Sequence, residues 1–184
     1  MTAIPYITPP SAIIIPRFVP LAPGLEITHH PLETNATGPG LAHLTYRGAL
    51  EVAAANGARL PTRAEVEMLH EVASKAGTEL APVILPDAGM RAAGMVPGDP
   101  RMVTREWADR HDALVAQQVP ALDVDSPPIA NAGKHWIGPA PAGKAALCGW
   151  WSGGAFIQSG LGFPHDEAHH DYATTTMLVR EVAP

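Results

Sequence analysis

Two adjacent helices are predicted in the first half of the chain. Thr45 is a suitable cap for a helix over 46–55, which an Asn-Gly pair ends. Apolar residues then recur at helical spacing from a capping box, in which the Thr62 hydroxyl accepts from the amide of Glu65 and the Glu65 carboxylate reaches back. Gly77 ends this second stretch. Because each stretch has its own start and stop signals, the pattern predicts two separate helices.

An insertion is predicted over about 80–120. Its first part contains seven prolines and glycines, which favour a surface segment with little regular structure. Thr104 then caps a third predicted helix, whose apolar face includes His111. On this face His111 points inward as a core residue, and the neighbouring Asp112 points towards solvent.

The last third of the chain has no helical period. Short apolar groups appear there, each bounded by Gly or Pro as antiparallel strands are: His135-Trp136-Ile137, Ala145 to Trp151, Ala155-Phe156-Ile157 and Met177-Leu178-Val179. Together with the helices, they predict the α+β class, with an irregular antiparallel sheet.

The first 23 residues contain six prolines around the run Ile13-Ile14-Ile15. Proline at this density disfavours helix and favours extended backbone. Two interpretations are open. The segment is either an arm that docks on another protein subunit or an edge strand of the domain. The single C-type-lectin-like domain itself is expected over 24–184.

The segment from Gly57 to Glu67 resembles the signature of a known family. It is similar to the R-L-P-T-x-A-E-W-E signature of the formylglycine-generating-enzyme-like family (sulfatase-modifying factors), a branch of the C-type lectin fold, although Val66 stands where the family has Trp. Three weaker similarities follow in the family's order: Asn131 to Trp136, Leu147 to Trp151, and Thr176 to Arg180. The resemblance covers Glu26 to the C-terminus and implies a C-type-lectin-like domain with a divergent core.

The resemblance also implies what this chain does and does not do. Catalytic members of the family use a reactive cysteine pair that holds copper, whereas this chain has only Cys148. Non-catalytic relatives of the fold include lectin-like and phage receptor-binding domains, which hold ligands on the loop-rich face above the terminal sheet. The implied function is therefore a binding module for a glycan or cell-surface receptor, on a phage or phage-like particle. The Pro-rich arm would suit anchoring in such an oligomeric assembly.

Composition excludes several other classes. There are 12 Lys and Arg residues against 18 Asp and Glu, a net charge of -6, so no basic surface is expected for nucleic acid or anionic lipid. No apolar run approaches the roughly 20 residues that cross a bilayer, and no basic signal-peptide start is present, which favours cytoplasmic synthesis. A single cysteine excludes an internal disulfide framework and a thiolate-rich zinc site.

Histidine and carboxylate side chains are concentrated near the C-terminus. Four of them are candidate metal ligands: His165, His169, His170 and Asp171. Imidazole with carboxylate suits Zn²⁺, Ni²⁺ or Fe²⁺, and carboxylates suit Ca²⁺, so a metal-dependent enzyme is the first alternative function. A polar surface loop explains the same residues without a metal. Two further histidines, His43 and His70, have no partner at a useful spacing.

Aromatic residues of the predicted sheet are the candidate ligand-binding residues. They are Trp136, Trp150 and Trp151, with His135 beside them. Adjacent strand residues point to opposite faces, so one of Trp150 and Trp151 is expected in the core and the other outside, where it can stack on a sugar. The site is expected where the outer tryptophan meets the loop at 165–171. Burial of both, or a contact between subunits, would instead indicate a structural assembly subunit.

Overall fold

The computed structural model of the chain describes residues 7–8, 10–34, 40–119, 126–152, 155–159 and 165–183. Within these residues it contains four α-helices, and short 3-10 helices at Pro10–Ala12 and Pro100–Val103. The α-helices are α1 (Tyr46–Ala55), α2 (Arg63–Ala76), α3 (Ala88–Ala92) and α4 (Arg105–Ala116).

Eleven short strands in the same residues form three sheets. In chain order they are β1 (Ile13–Ile14), β2 (Phe18–Ala22), β3 (Leu25–Thr28), β4 (Glu33–Thr34), β5 (Gly40–Leu41), β6 (Lys134–Ile137), β7 (Lys144–Ser152), β8 (Ala155–Ser159), β9 (His165–Asp166), β10 (Thr174–Thr175) and β11 (Val179–Glu181). The first sheet has the order β1-β4-β5 and the third β11-β3-β2. The second has the order β10-β6-β7-β8, with β9 also paired to β7. All of these paired strands are antiparallel except β6 and β10, so the predicted α+β class is confirmed.

Local hydrogen bonds explain where the first two helices begin and end. The Thr45 hydroxyl accepts from the amide of Gly48, at 3.2 Å. At α2 both halves of the capping box form, because the Thr62 hydroxyl accepts from the Glu65 amide and the Glu65 carboxylate accepts from the Thr62 amide. Gly77 ends α2 in the left-handed conformation that glycine adopts without strain, with φ of +73°. Both helix predictions are confirmed.

Two stretches of the Pro-rich segment, Ile13–Ile14 and Phe18–Ala22, are strands of the domain's sheets. Strand β2 is the edge strand of the third sheet, and β1 pairs with β4 in the first. Val19 and Leu21 of β2 are buried and pack in one cluster with Leu69 and Ala73 of α2. Residues 18–22 therefore follow the edge-strand interpretation and not the detached arm. The first six residues and Pro9 lie outside the described part.

The predicted insertion contributes side chains to the core, although residues 91–98 lie mostly at the surface. Leu85, Met90 and Trp107 are buried in one cluster with Trp150 of β7. Both α3 and α4 lie in this segment, and α4 begins after Thr104 as predicted. The expectation of a surface segment is therefore wrong at Leu85 and Met90, because their apolar side chains pack with Trp150 of the second sheet.

Candidate functional site

A buried ion pair lies at the centre of the region where the site was expected. Lys134 of β6 and Asp171 form this pair, and their side chains are only 4% and 3% exposed. Gly149 faces Lys134 in the neighbouring strand, and a Cβ there would lie 2.5 Å from the Lys134 Cα. Glycine at this position therefore makes room for the lysine.

Two more hydrogen-bond donors and an aromatic ring complete the surroundings of the pair. The Asp171 carboxylate also accepts from the amide of Ala173 at 2.9 Å and from the hydroxyl of Thr174 at 3.0 Å. Burial alone would raise the pKa of Asp171, but the Lys134 ammonium and these donors lower it below its usual range. The Lys134 Nζ lies 5.3 Å from the ring centre of Trp150, a favourable cation–π distance. The pair is a satisfied polar centre within the core.

The four predicted metal ligands do not converge. The rings of His165 and His169 stack with their centres 3.9 Å apart, and burial lowers the pKa of His169 to about 4, with His165 contributing. The His169 Nε2 lies 3.9 Å from the Asp171 carboxylate, whose charge Lys134 already compensates. His170 is buried and interacts electrostatically with another histidine, His43. Over the described ranges, no group of three or more His, Cys, Asp or Glu side chains is arranged to hold a metal, and a metal site at these four residues stays a prediction.

A second buried polar group joins residues that no sequence pattern linked. The Asp112 carboxylate lies 3.3 Å from the His43 Nε2 and 3.3 Å from the His111 Nδ1, and it accepts from the amide of Leu41 at 2.9 Å. His111 is fully buried, as predicted. Asp112 was expected to face solvent, but its side chain is only 16% exposed. That expectation is wrong because β5 and the following segment cover this side of α4.

Two of the predicted ligand-binding residues are core residues. Trp136 is fully buried, and its indole N–H donates to the carbonyl of Leu44 at 2.9 Å. His135 is also fully buried, with its Nδ1 2.8 Å from the hydroxyl of Thr175. Neither side chain is accessible to a ligand, so the prediction of a binding role is wrong for both.

The two adjacent tryptophans take opposite sides of β7, as predicted. Trp150 is buried against Tyr172 and above Lys134, with a φ of +51° that is unusual for a bulky residue. Trp151 is partly exposed. The tryptophan beside the loop at 165–171 is the buried Trp136, whose ring centre lies 6.3 Å from that of His169.

Trp151 is instead part of a surface built with α2. Its ring stacks on His70, with centres 5.2 Å apart and planes at 16°, and meets Phe156 edge to face at 4.8 Å. The Arg63 guanidinium lies 5.5 Å from the ring centre of Phe156, and Arg63 pairs with Glu67 at 2.9 Å. We call Trp151, Phe156, Arg63 and Glu67 the Trp151 surface.

The backbone of Trp151 is held by one side chain. The Asn131 amide group donates to the Trp151 carbonyl at 2.9 Å and accepts from the Trp151 N–H at 2.8 Å. A third hydrogen bond, from the Asn131 amide group to the carbonyl of Leu80, anchors the amide itself. Sequence reasoning missed Asn131, Arg63 and Phe156, because only the fold brings them to the tryptophan.

In the part of the chain that the structure describes, no helix has the length and apolar character that a membrane crossing requires. Comparison of the chain with protein-family models, with curated proteins and with solved structures finds no match.

Proposed function

We propose that the chain is a ligand-binding module that recognises a glycan through the Trp151 surface. One observation carries the proposal: Trp151 is partly exposed, whereas the other three tryptophans are buried. A large aromatic ring left at the surface offers apolar area with little conformational freedom to lose. Sugars present an apolar face of C–H groups, which is what such a ring can hold.

The ring is fixed before any ligand arrives. Asn131 holds its backbone, and His70 and Phe156 hold its side chain. Binding energy is then not spent on ordering the site.

The polar groups beside the ring suit a neutral ligand. Arg63 and Glu67 supply donors and acceptors, and each side chain is 41% exposed. Their charges compensate each other across one helical turn, so the surface favours hydroxyl groups over an ion of either sign. A glycan on a cell surface meets this description. By the sequence resemblance, the proposal extends to receptor binding by a phage or phage-like particle, with other protein subunits as partners.

An array of immobilised mono- and oligosaccharides tests the proposal. We expect the wild-type protein to bind a defined subset of sugars and Trp151→Ala to bind them at least about fivefold more weakly, since aromatic contacts of this kind contribute about 1 kcal/mol or more. Leu50→Ala is the matched control, because Leu50 is an exposed apolar residue on α1, away from this surface. Binding by no sugar, or equal binding by Trp151→Ala with an unchanged melting temperature, rejects the proposal.

A further inference from the structure

A separate cleft lies between the segment after β3, the C-terminal end of α4 and the segment before β6. Its volume is about 320 Å³, which corresponds to roughly ten water molecules. Four apolar side chains form its floor: Leu41, Val115, Ile129 and Ala132. A concave apolar floor of this size with a few polar groups is the usual form of a small-molecule site.

One cation and one anion stand among the residues that line this cleft. Arg17 is exposed, its guanidinium donates to the carbonyl of Ser126 at 3.3 Å, and it forms no ion pair with any carboxylate of the described residues. Glu33 is 44% exposed, and its carboxylate lies 3.6 Å from the His30 Nδ1. The His30 Nδ1 itself lies 3.0 Å from the carbonyl of Pro31.

The remaining polar lining group is a buried histidine. His29 lines the cleft, and its Nε2 is buried without a hydrogen-bond partner among the described residues. Burial lowers the pKa of His29, and the neighbouring His30 and Arg17 lower it further. His29 is therefore neutral at pH 7 and adds a polar atom but no charge.

We infer that this cleft binds a small zwitterion with an apolar side chain, of the leucine type. A carboxylate matches the planar donors of Arg17, and an ammonium group matches Glu33. The apolar side chain would lie on the floor and displace water from it. A ligand with one charge would satisfy only one of the two rim groups, and an apolar ligand would desolvate both without compensation.

Four probes separate the parts of this inference: L-leucine, N-acetyl-leucine, leucinamide and glycine. Leucine carries both charges and the apolar side chain, and glycine carries both charges without the side chain. N-acetyl-leucine keeps the side chain and the carboxylate, and leucinamide keeps the side chain and the ammonium group. With NMR titration we expect leucine to bind in roughly the millimolar range that suits a ligand of about ten non-hydrogen atoms. The other three are expected to bind at least tenfold more weakly.

Charge-neutral variants assign each charge to its partner. With Arg17→Gln, leucine is expected to bind no better than leucinamide, and with Glu33→Gln no better than N-acetyl-leucine. Val119→Trp at the rim is expected to block the cleft, and Val96→Trp, at an exposed site outside the lining, is the matched control.

The inference is overturned if leucine causes no chemical-shift changes at about ten times the expected millimolar dissociation constant. It is also overturned if leucinamide or N-acetyl-leucine binds as well as leucine. It is equally overturned if Val119→Trp leaves the titration unchanged. Since Trp151 is not part of the cleft lining, Trp151→Ala should bind leucine normally, so failure of the glycan proposal remains distinguishable.

Discussion

Replacing Asp171 by Asn tests whether the buried ion pair stabilises the fold. Asn keeps the size of the side chain and can still accept from Ala173 and Thr174, so the change removes mainly the negative charge. Lys134, only 4% exposed, then keeps its ammonium without a counter-charge. Removing one partner of a buried pair costs about 3–5 kcal/mol. The free energy of unfolding of a domain is about 5–15 kcal/mol in total, so the loss is a large fraction of it.

Removing the positive charge of the pair should lower the free energy of unfolding by less than removing the negative charge. Lys134→Met leaves the Asp171 carboxylate with two donors, and the methionine stem can pack on the ring of Trp150. We expect a loss of about 2 kcal/mol, since two hydrogen bonds to the charged group remain. The double variant should lose less than the sum of the two single losses by about 1 kcal/mol or more, because neither buried charge is left alone.

Urea unfolding at pH 7 measures these losses as free energies of unfolding. Lys75→Met is the matched control, because Lys75 and Glu71 form an exposed pair at 3.9 Å, and its effect should stay below about 1 kcal/mol. Strictly additive single losses, or an Asp171→Asn loss as small as that of the control, would refute the reasoning about burial.

Three further predictions concern pH, thiol reactivity and the helix cap. Burial lowers the pKa of His135 to about 3 and that of His169 to about 4, from a usual 6.5. Below pH 6.5 the unfolded chain therefore binds more protons than the folded protein. The free energy of unfolding should fall on acidification to pH 5. Constant urea midpoints over that range would contradict this. Cys148 is buried, and burial raises the pKa of its thiol to about 11. A thiol reagent at pH 8 should therefore label Cys148 only as fast as the protein opens. Rapid labelling of the native protein would contradict this prediction. Thr62→Ala and Glu65→Ala should each cost about 1 kcal/mol in thermal melts and leave array binding unchanged. Lost binding at an unchanged melting temperature would place the cap in the site.

The two helices could be predicted to the residue because their end signals are local. The capping hydroxyl of Thr62 and the amide of Glu65 lie in the same turn, and Gly77 stops α2 without help from the rest of the fold. In the last third of the chain β6, β7 and β8 were predicted at nearly the right places, but β9 and β10 were not predicted, and neither was the strand pairing. The alignment of Gly149 with Lys134, for example, depends on which strands meet, and alternating polarity does not encode that.

The candidate site was predicted less well, because its side chains come from distant parts of the chain. The alternation of Trp150 and Trp151 follows from strand geometry and was predicted. The partnership of His43 with Asp112 spans 69 residues and has no local signal. The metal prediction lacked the same long-range information. It counted Asp171 as a free ligand, whereas the fold brings Lys134 to that carboxylate.

A buried lysine is itself a signal that sequence reasoning can use. Lys134 lies in a strand whose other residues, His135, Trp136 and Ile137, are apolar or buried, so a carboxylate must reach it or the strand would carry an uncompensated charge. The fold answers this need with Asp171 on one side of β7, where Trp150 covers the pair. Trp151 is thereby left on the other side, against α2. The buried pair and the Trp151 surface thus occupy opposite faces of one strand, so changes at the pair should alter sugar binding only through stability.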